Sequence, residues 1–192
     1  RRDRVLIPVW VAIIVLSAVS SAAATIDLYP DAASRALAAS AINNVPSLVA
    51  FYGRIWDPQS LGALSTLKLS GLVAALIGVF AIFLVVRHTR REEENGRLEL
   101  LGATVVGRKA ALSAAMIIMF ATMLSIGVFT ALGMTAAGLP AAGSWAFGLA
   151  WATTGMAYGA IAAVTAQLTI SARSAVGLGI AVLGVTYVMR AI

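Results

Sequence analysis

The sequence predicts an all-α, polytopic membrane protein: a helical bundle of about five to six transmembrane spans, with a short charged helix on the inner side and an interfacial helix on the outer side. Three observations predict it. Of 192 residues, 60% are hydrophobic and 11% charged, with a mean hydropathy of +0.93, whereas soluble domains carry about 25% charge. The apolar residues gather into runs of roughly twenty, the length that crosses a hydrocarbon core. The 14 Lys and Arg, set against 8 Asp and Glu, fall mostly in the short breaks between runs. That placement fits membrane topology rather than a nucleic-acid surface.

The first run, residues 5–25, follows Arg1, Arg2 and Arg4 and is not followed by a clean processing site and a soluble mature domain. It therefore reads as a retained span rather than a cleaved leader. The long segment after it is organised. Asp31 is placed to cap an Ala-rich helix over 31–43, which Asn43, Asn44 and Pro46 end. Tyr29, Tyr52 and Trp56 suit a headgroup interface, so this helix lies on the outer surface, as a plain connector or with a role toward substrate. Further spans follow at 61–86, 108–137 and 144–169. A fifth, 174–190, is short, and fits a half-span, a re-entrant piece or the start of a longer helix.

Lys and Arg concentrate on cytoplasmic segments. A cytoplasmic N-terminus puts Arg1, Arg2, Arg4, Arg87, Arg90, Arg91, Arg97, Arg108, Lys109 and Arg173 inside, ten of the fourteen. Arg35, Arg54, Lys68 and Arg190 remain outside. Lys68 can snorkel along its own stem, while Arg190, beyond the short fifth segment, is hard to place.

Two stripes mark the spans. Gly155, Gly159 and Ala163 carry small-xxx-small spacing, which lets helix backbones approach closely within one protomer or across a dimer. Met116, Met119, Phe120 and Met123 form a soft face on the third span, suited to core packing, lipid contact or the wall of a greasy pathway.

Several chemistries are excluded by composition. With no Cys and one His there is no thiolate metal site, cysteine nucleophile or imidazole cluster. An intramembrane enzyme needs paired polar groups at membrane depth; His88 lies at the inner edge, and Asp57 beside Pro58 reads as a turn residue. No G-x-x-x-x-G-K-[ST] loop is present to hold ATP. The chain is therefore expected to bind no cofactor and to have no catalytic site. It begins at Arg1 and stops just after an apolar run, and so reads as a piece of a longer protein.

The most informative stretch lies between the second and third spans. Basic residues Arg87, Arg90 and Arg91 are followed by Glu92, Glu93 and Glu94, acids that favour a helix N-terminus. Glu93 and Arg97 are spaced i,i+4, and Leu98 and Leu101 share a face from which Glu99 stands off. A small amphipathic helix held between two spans, or a basic loop that attracts anionic lipid, both fit these residues.

Glu92-Glu93-Glu94-x-Gly96-Arg97-Leu98-Glu99-Leu100-Leu101-x-Ala103-Thr104 resembles the cytoplasmic loop of ABC-2-type ATP-binding-cassette exporter permeases. Val105-Val106-Gly107-Arg108, Ala166-Gln167-Leu168-Thr169-x-Ser171-Ala172-Arg173 and Tyr187-Val188-Met189-Arg190-Ala191 are similar to the actinobacterial subgroup that exports polyketide antibiotics and other drugs. Val105 departs from the broader family, in which Pro often stands there. The resemblance implies that residues 92–104 form a coupling helix seated in a cleft of a separate ATPase subunit, which holds ATP and Mg2+. Leu98, Leu100 and Leu101 would anchor it, Glu92, Glu93, Glu94, Arg97 and Glu99 would set charge register, and Gly96 belongs to the motif. It further implies that this chain is the first half of a permease, facing a second half or a second copy in a bacterial cytoplasmic membrane. Export of an amphipathic or lipophilic compound, drug-like or lipid, by alternating access is the expected function. A non-transporting membrane scaffold with a docking loop is the alternative.

Overall fold

The computed structural model describes residues 3–96 and 110–190. Regular structure there is helical throughout: α1 (Asp3–Leu28), α2 (Ala32–Asn43), α3 (Pro46–Tyr52), α4 (Leu61–His88), α5 (Arg90–Glu94), α6 (Ala110–Ala136), α7 (Ala141–Leu168) and α8 (Ala172–Arg190). Five of these, α1, α4, α6, α7 and α8, are long and apolar enough to cross a membrane. α8 runs unbroken for 19 residues, about 28 Å at 1.5 Å per residue. The half-span and re-entrant readings of the fifth segment thus give way to one continuous helix.

α4 is the hub, packing against α1, α6, α7 and α8; α1 also packs on α6, and α7 on both α6 and α8. The core between them holds Ile77, Phe80 and Val85 of α4, Met119, Met123 and Ile126 of α6, and Trp151 and Ala162 of α7. Trp10 stacks on Phe80 with ring centroids 5.1 Å apart, which fixes α1 against α4. Lipid tails are as apolar as these side chains, so close packing rather than escape from water holds such helices together. The α6–α7 seam shows how close that is. A Cβ built on Gly127 falls 2.6 Å from the Gly148 carbonyl oxygen, a space that only glycine leaves free.

The two ends of the bundle differ. At one end, α2 and α3 cap the start of α4. Asp31 accepts the Ser34 backbone N–H at 2.7 Å and holds the first turn of α2. That bond, more than any other influence, lowers the Asp31 pKa below the usual carboxylate range. Asn43 exchanges two hydrogen bonds with the Ile55 backbone, at 2.9 and 3.0 Å, tying the end of α2 to the chain after α3. Ala39, Ile55 and Leu67 fill the space beneath. Pro46 ends one helix and begins another, because its fixed φ suits a first helical position. Trp56 is exposed with the Arg54 guanidinium 5.6 Å from its ring.

Candidate functional site at the charged end of the bundle

At the other end α4 stops at Thr89, whose hydroxyl donates to the Val85 carbonyl at 2.7 Å and whose backbone leaves the helical region. The chain restarts at once as α5, five residues long. Two groups on α5 reach across to the turn between α7 and α8. The Arg90 guanidinium donates to the Ile170 carbonyl from Nε at 3.0 Å and from Nη2 at 2.8 Å. The Ala172 N–H, the first of α8, donates to Glu94 Oε1 at 2.6 Å. Arg90 also bonds Glu93 at 2.7 Å, an exposed pair worth little by itself.

The pairing of groups has a simple electrostatic basis. A carbonyl left free after the C-terminal end of α7 meets a cation, and an N–H left free at the start of α8 meets a carboxylate. Ser171 completes the cap of α8, its hydroxyl accepting the Ser174 N–H at 3.1 Å. Deeper in, Thr165 of α7 donates to the Ala175 carbonyl of α8 at 3.1 Å. Segments about 80 residues apart in sequence are thereby joined into one surface. Beside it opens a cavity of about 420 Å³ lined by Phe83, Val86, Arg87, Arg91, Glu94 and Arg173. Among the described residues its lining carries three guanidinium groups and one carboxylate.

Glu92, Glu93, Glu94 and Gly96 lie on α5 and the turn that closes it, where Gly96 takes φ +70°. α5 ends at Glu94 with Asn95 as its cap, and residues 97–104 of the expected helix over 92–104 lie outside the described residues. Arg97, Leu98, Glu99, Leu100 and Leu101 lie outside the described residues, as does the expected Glu93–Arg97 pairing. On α6 the soft stripe divides. Met119 and Met123 are wholly buried, Met116 is half-buried, and Phe120 is 41% exposed. The glycine stripe of α7 explains the division, since Met119 lies over Gly159 and Met123 over Gly155. Ala163 is half-buried against the same core. Methionine and glycine stripes are two sides of one contact within the chain.

Sequence reasoning missed a second polar locus near the capped end. Arg190 Nη2 donates to the Tyr52 carbonyl at 3.1 Å and to Ser70 Oγ at 3.2 Å. Its guanidinium occupies room left by Gly71, where a Cβ would fall 2.5 Å from Nη1. The hydroxyls of Tyr158 and Thr186 are hydrogen-bonded to each other nearby. The available signal was a lone cation closing an apolar helix, but its partners lie 120 and 138 residues away.

Five membrane-length apolar helices packed into one bundle, with charge confined largely to its ends, make this a polytopic helical membrane protein. No protein-family model matches the chain. It is 44% identical over 193 aligned positions to the multidrug efflux system permease protein Rv1217c of Mycobacterium tuberculosis, a match covering 100% of this chain and 35% of that protein. The chain thus spans about a third of the relative's length. The efflux-permease resemblance first seen in a few motifs extends along all of it.

Proposed function

We propose that this chain is a membrane-spanning part of an ABC-2-type export permease in a bacterial cytoplasmic membrane, moving amphipathic or lipophilic compounds outward. The observation that carries the reading is the 44% identity to a multidrug efflux permease along the whole chain. In this reading the N-terminus and the α5 end face the cytoplasm, where most Lys and Arg fall. An ATPase subunit, holding ATP and Mg2+, docks on α5 and the residues after it. A second permease half, from the same polypeptide or a second copy, completes the pathway among membrane lipids.

The geometry of α5 supports a coupling role. It continues α4 with one residue between them, and it grips the start of α8 through Arg90 and Glu94. A push on α5 reaches two spans together. Alternating access then needs only that those spans tilt against the tightly packed α6–α7 pair as the ATPase closes on nucleotide. Few charges lie at membrane depth, which suits lipophilic cargo better than inorganic ions.

The test is co-purification of the full-length permease with its ABC ATPase subunit in mild detergent. A retained ATPase whose turnover responds to lipophilic compounds, lost when Leu98 and Leu101 are both changed to Asp, is the expected result. Failure to retain any ATPase contradicts the reading, and retention without any response to such compounds favours a scaffold.

A further inference from the structure

A cleft of about 170 Å³ opens between α4, α7 and α8, and its polar lining comes from Ser70, Thr154, Tyr158, Thr186, Tyr187 and Arg190. The Arg190 guanidinium reaches Ser70 of α4 and the Tyr52 carbonyl of α3, so it sits at the rim where the apolar bundle meets its capped end. A charged group beside apolar helices is costly unless it is partnered or serves a function.

The partners of Arg190 are all neutral. Its two hydrogen bonds leave from Nη2, to a carbonyl and a hydroxyl, and no carboxylate pairs with it among the described residues. Nε and Nη1 make no hydrogen bond there, which leaves donors of a planar fork available to the cleft. Tyr187 makes no hydrogen bond among the described residues either, and its hydroxyl lies beside the same Gly71 position as Nη1. Gly71 and Gly78, two turns apart on α4, make the space. A side chain at Gly78 would fall 2.7 Å from Tyr158 and Leu183. Ala74, Ala75 and Leu183 continue the lining as a smooth apolar wall.

We infer that this cleft is a headgroup site for an anionic amphiphile, a compound carrying one carboxylate or phosphate on an apolar tail. The charge would complete the Arg190 fork with tyrosine hydroxyls beside it, and the tail would lie along the alanine wall of α4. The volume admits a headgroup rather than a whole drug-sized molecule. This deepens the export reading, on which it rests only for the direction of movement, because binding itself requires no ATP.

The experiment uses the full-length protein in neutral phosphatidylcholine nanodiscs and a fluorescent fatty acid, dansyl-undecanoic acid, against its methyl ester. The acid is expected to bind about tenfold more tightly than the ester, about 1.4 kcal/mol. Arg190→Gln should erase the preference, Arg190→Lys should keep part of it, and Gly71→Ala, which displaces the fork without removing it, should reduce it. Equal binding of acid and ester by the wild type overturns the inference. So does an Arg190→Gln protein that unfolds at lower temperature yet keeps the acid preference, since Arg190 is then only a latch for α8. If Arg190→Gln fails to fold, Gly71→Ala and Tyr187→Phe carry the same test. Competition by phosphatidylglycerol identifies the occupant as a lipid headgroup, and competition only by soluble carboxylates identifies it as cargo; both support an anionic site. Absence of the acid preference in the wild-type protein, with ATP-driven efflux of neutral compounds intact, removes this inference and leaves the transport reading standing.

Discussion

α7 and α8 are neighbouring spans held in opposite ways. α7 is fastened along its length: Gly148 meets Gly127 backbone to backbone, Gly155 lies under Met123, and Gly159 under Met119. α8 is fastened mainly at its ends, by Glu94 and Arg90 at its start and by Arg190 at its close. Between them Gly179 and Leu183 touch α4, but Gly177 and Gly184 look into open space. Continuous close packing makes α6 and α7 one body. Pinned ends with a looser middle let α8 follow whatever moves its pins, and one pin sits on α5.

The largest expected effect is at the seam. Gly148→Val places branched carbon against the Gly127 backbone and should cost about 3 kcal/mol or more, read as a large fall in detergent thermal stability. Gly184→Leu is the matching change on α8 and should shift stability by about 0.5 kcal/mol or less. A large loss there breaks the comparison by showing that another helix covers this face.

Next is the clamp. Arg90→Ala removes both bonds to Ile170, and Glu94→Ala removes the carboxylate at the start of α8. Each should cost about 1 kcal/mol locally, seen as faster amide exchange over residues 170–176 with α7 protection unchanged. Equal loosening of α7 would show that the two spans are not held differently.

The smallest effect concerns Asp31, outside the bundle proper. Its folded pKa lies below the unfolded one because it accepts the Ser34 N–H. The stability it adds is therefore present above the unfolded pKa and is lost as pH falls through the folded value. Amide protection in α2 should stay level at neutral pH and decline only on strong acidification. Asp31→Asn, which caps without a charge, should remove that acid-dependent step.

What the sequence made legible follows the same division. Continuous apolar runs mark spans because the bilayer demands them, and Asp31 announces α2 because its bond is local. α3 was hidden because Pro46 reads as a stop when it is also a start. The stripes on α6 and α7 were visible singly, but periodicity says which residues share a face and not what that face meets. The Arg90 and Glu94 contacts and the Arg190 site depend on groups 78 to 138 residues away, and no local pattern encodes them.

The proposed coupling role requires α5 and α8 to move together against α6 and α7. The sequence contains no Cys of its own, so spin labels can be introduced at Asn95, Ser113 and Ser174 in the full-length protein bound to the proposed ATPase subunit, on an otherwise cysteine-free background. Pulsed electron resonance with and without trapped nucleotide should find the 95–174 distance unchanged and the 113–174 distance shifted. A 95–174 distance that changes as much as 113–174, or a 113–174 distance that nucleotide leaves untouched, contradicts the account.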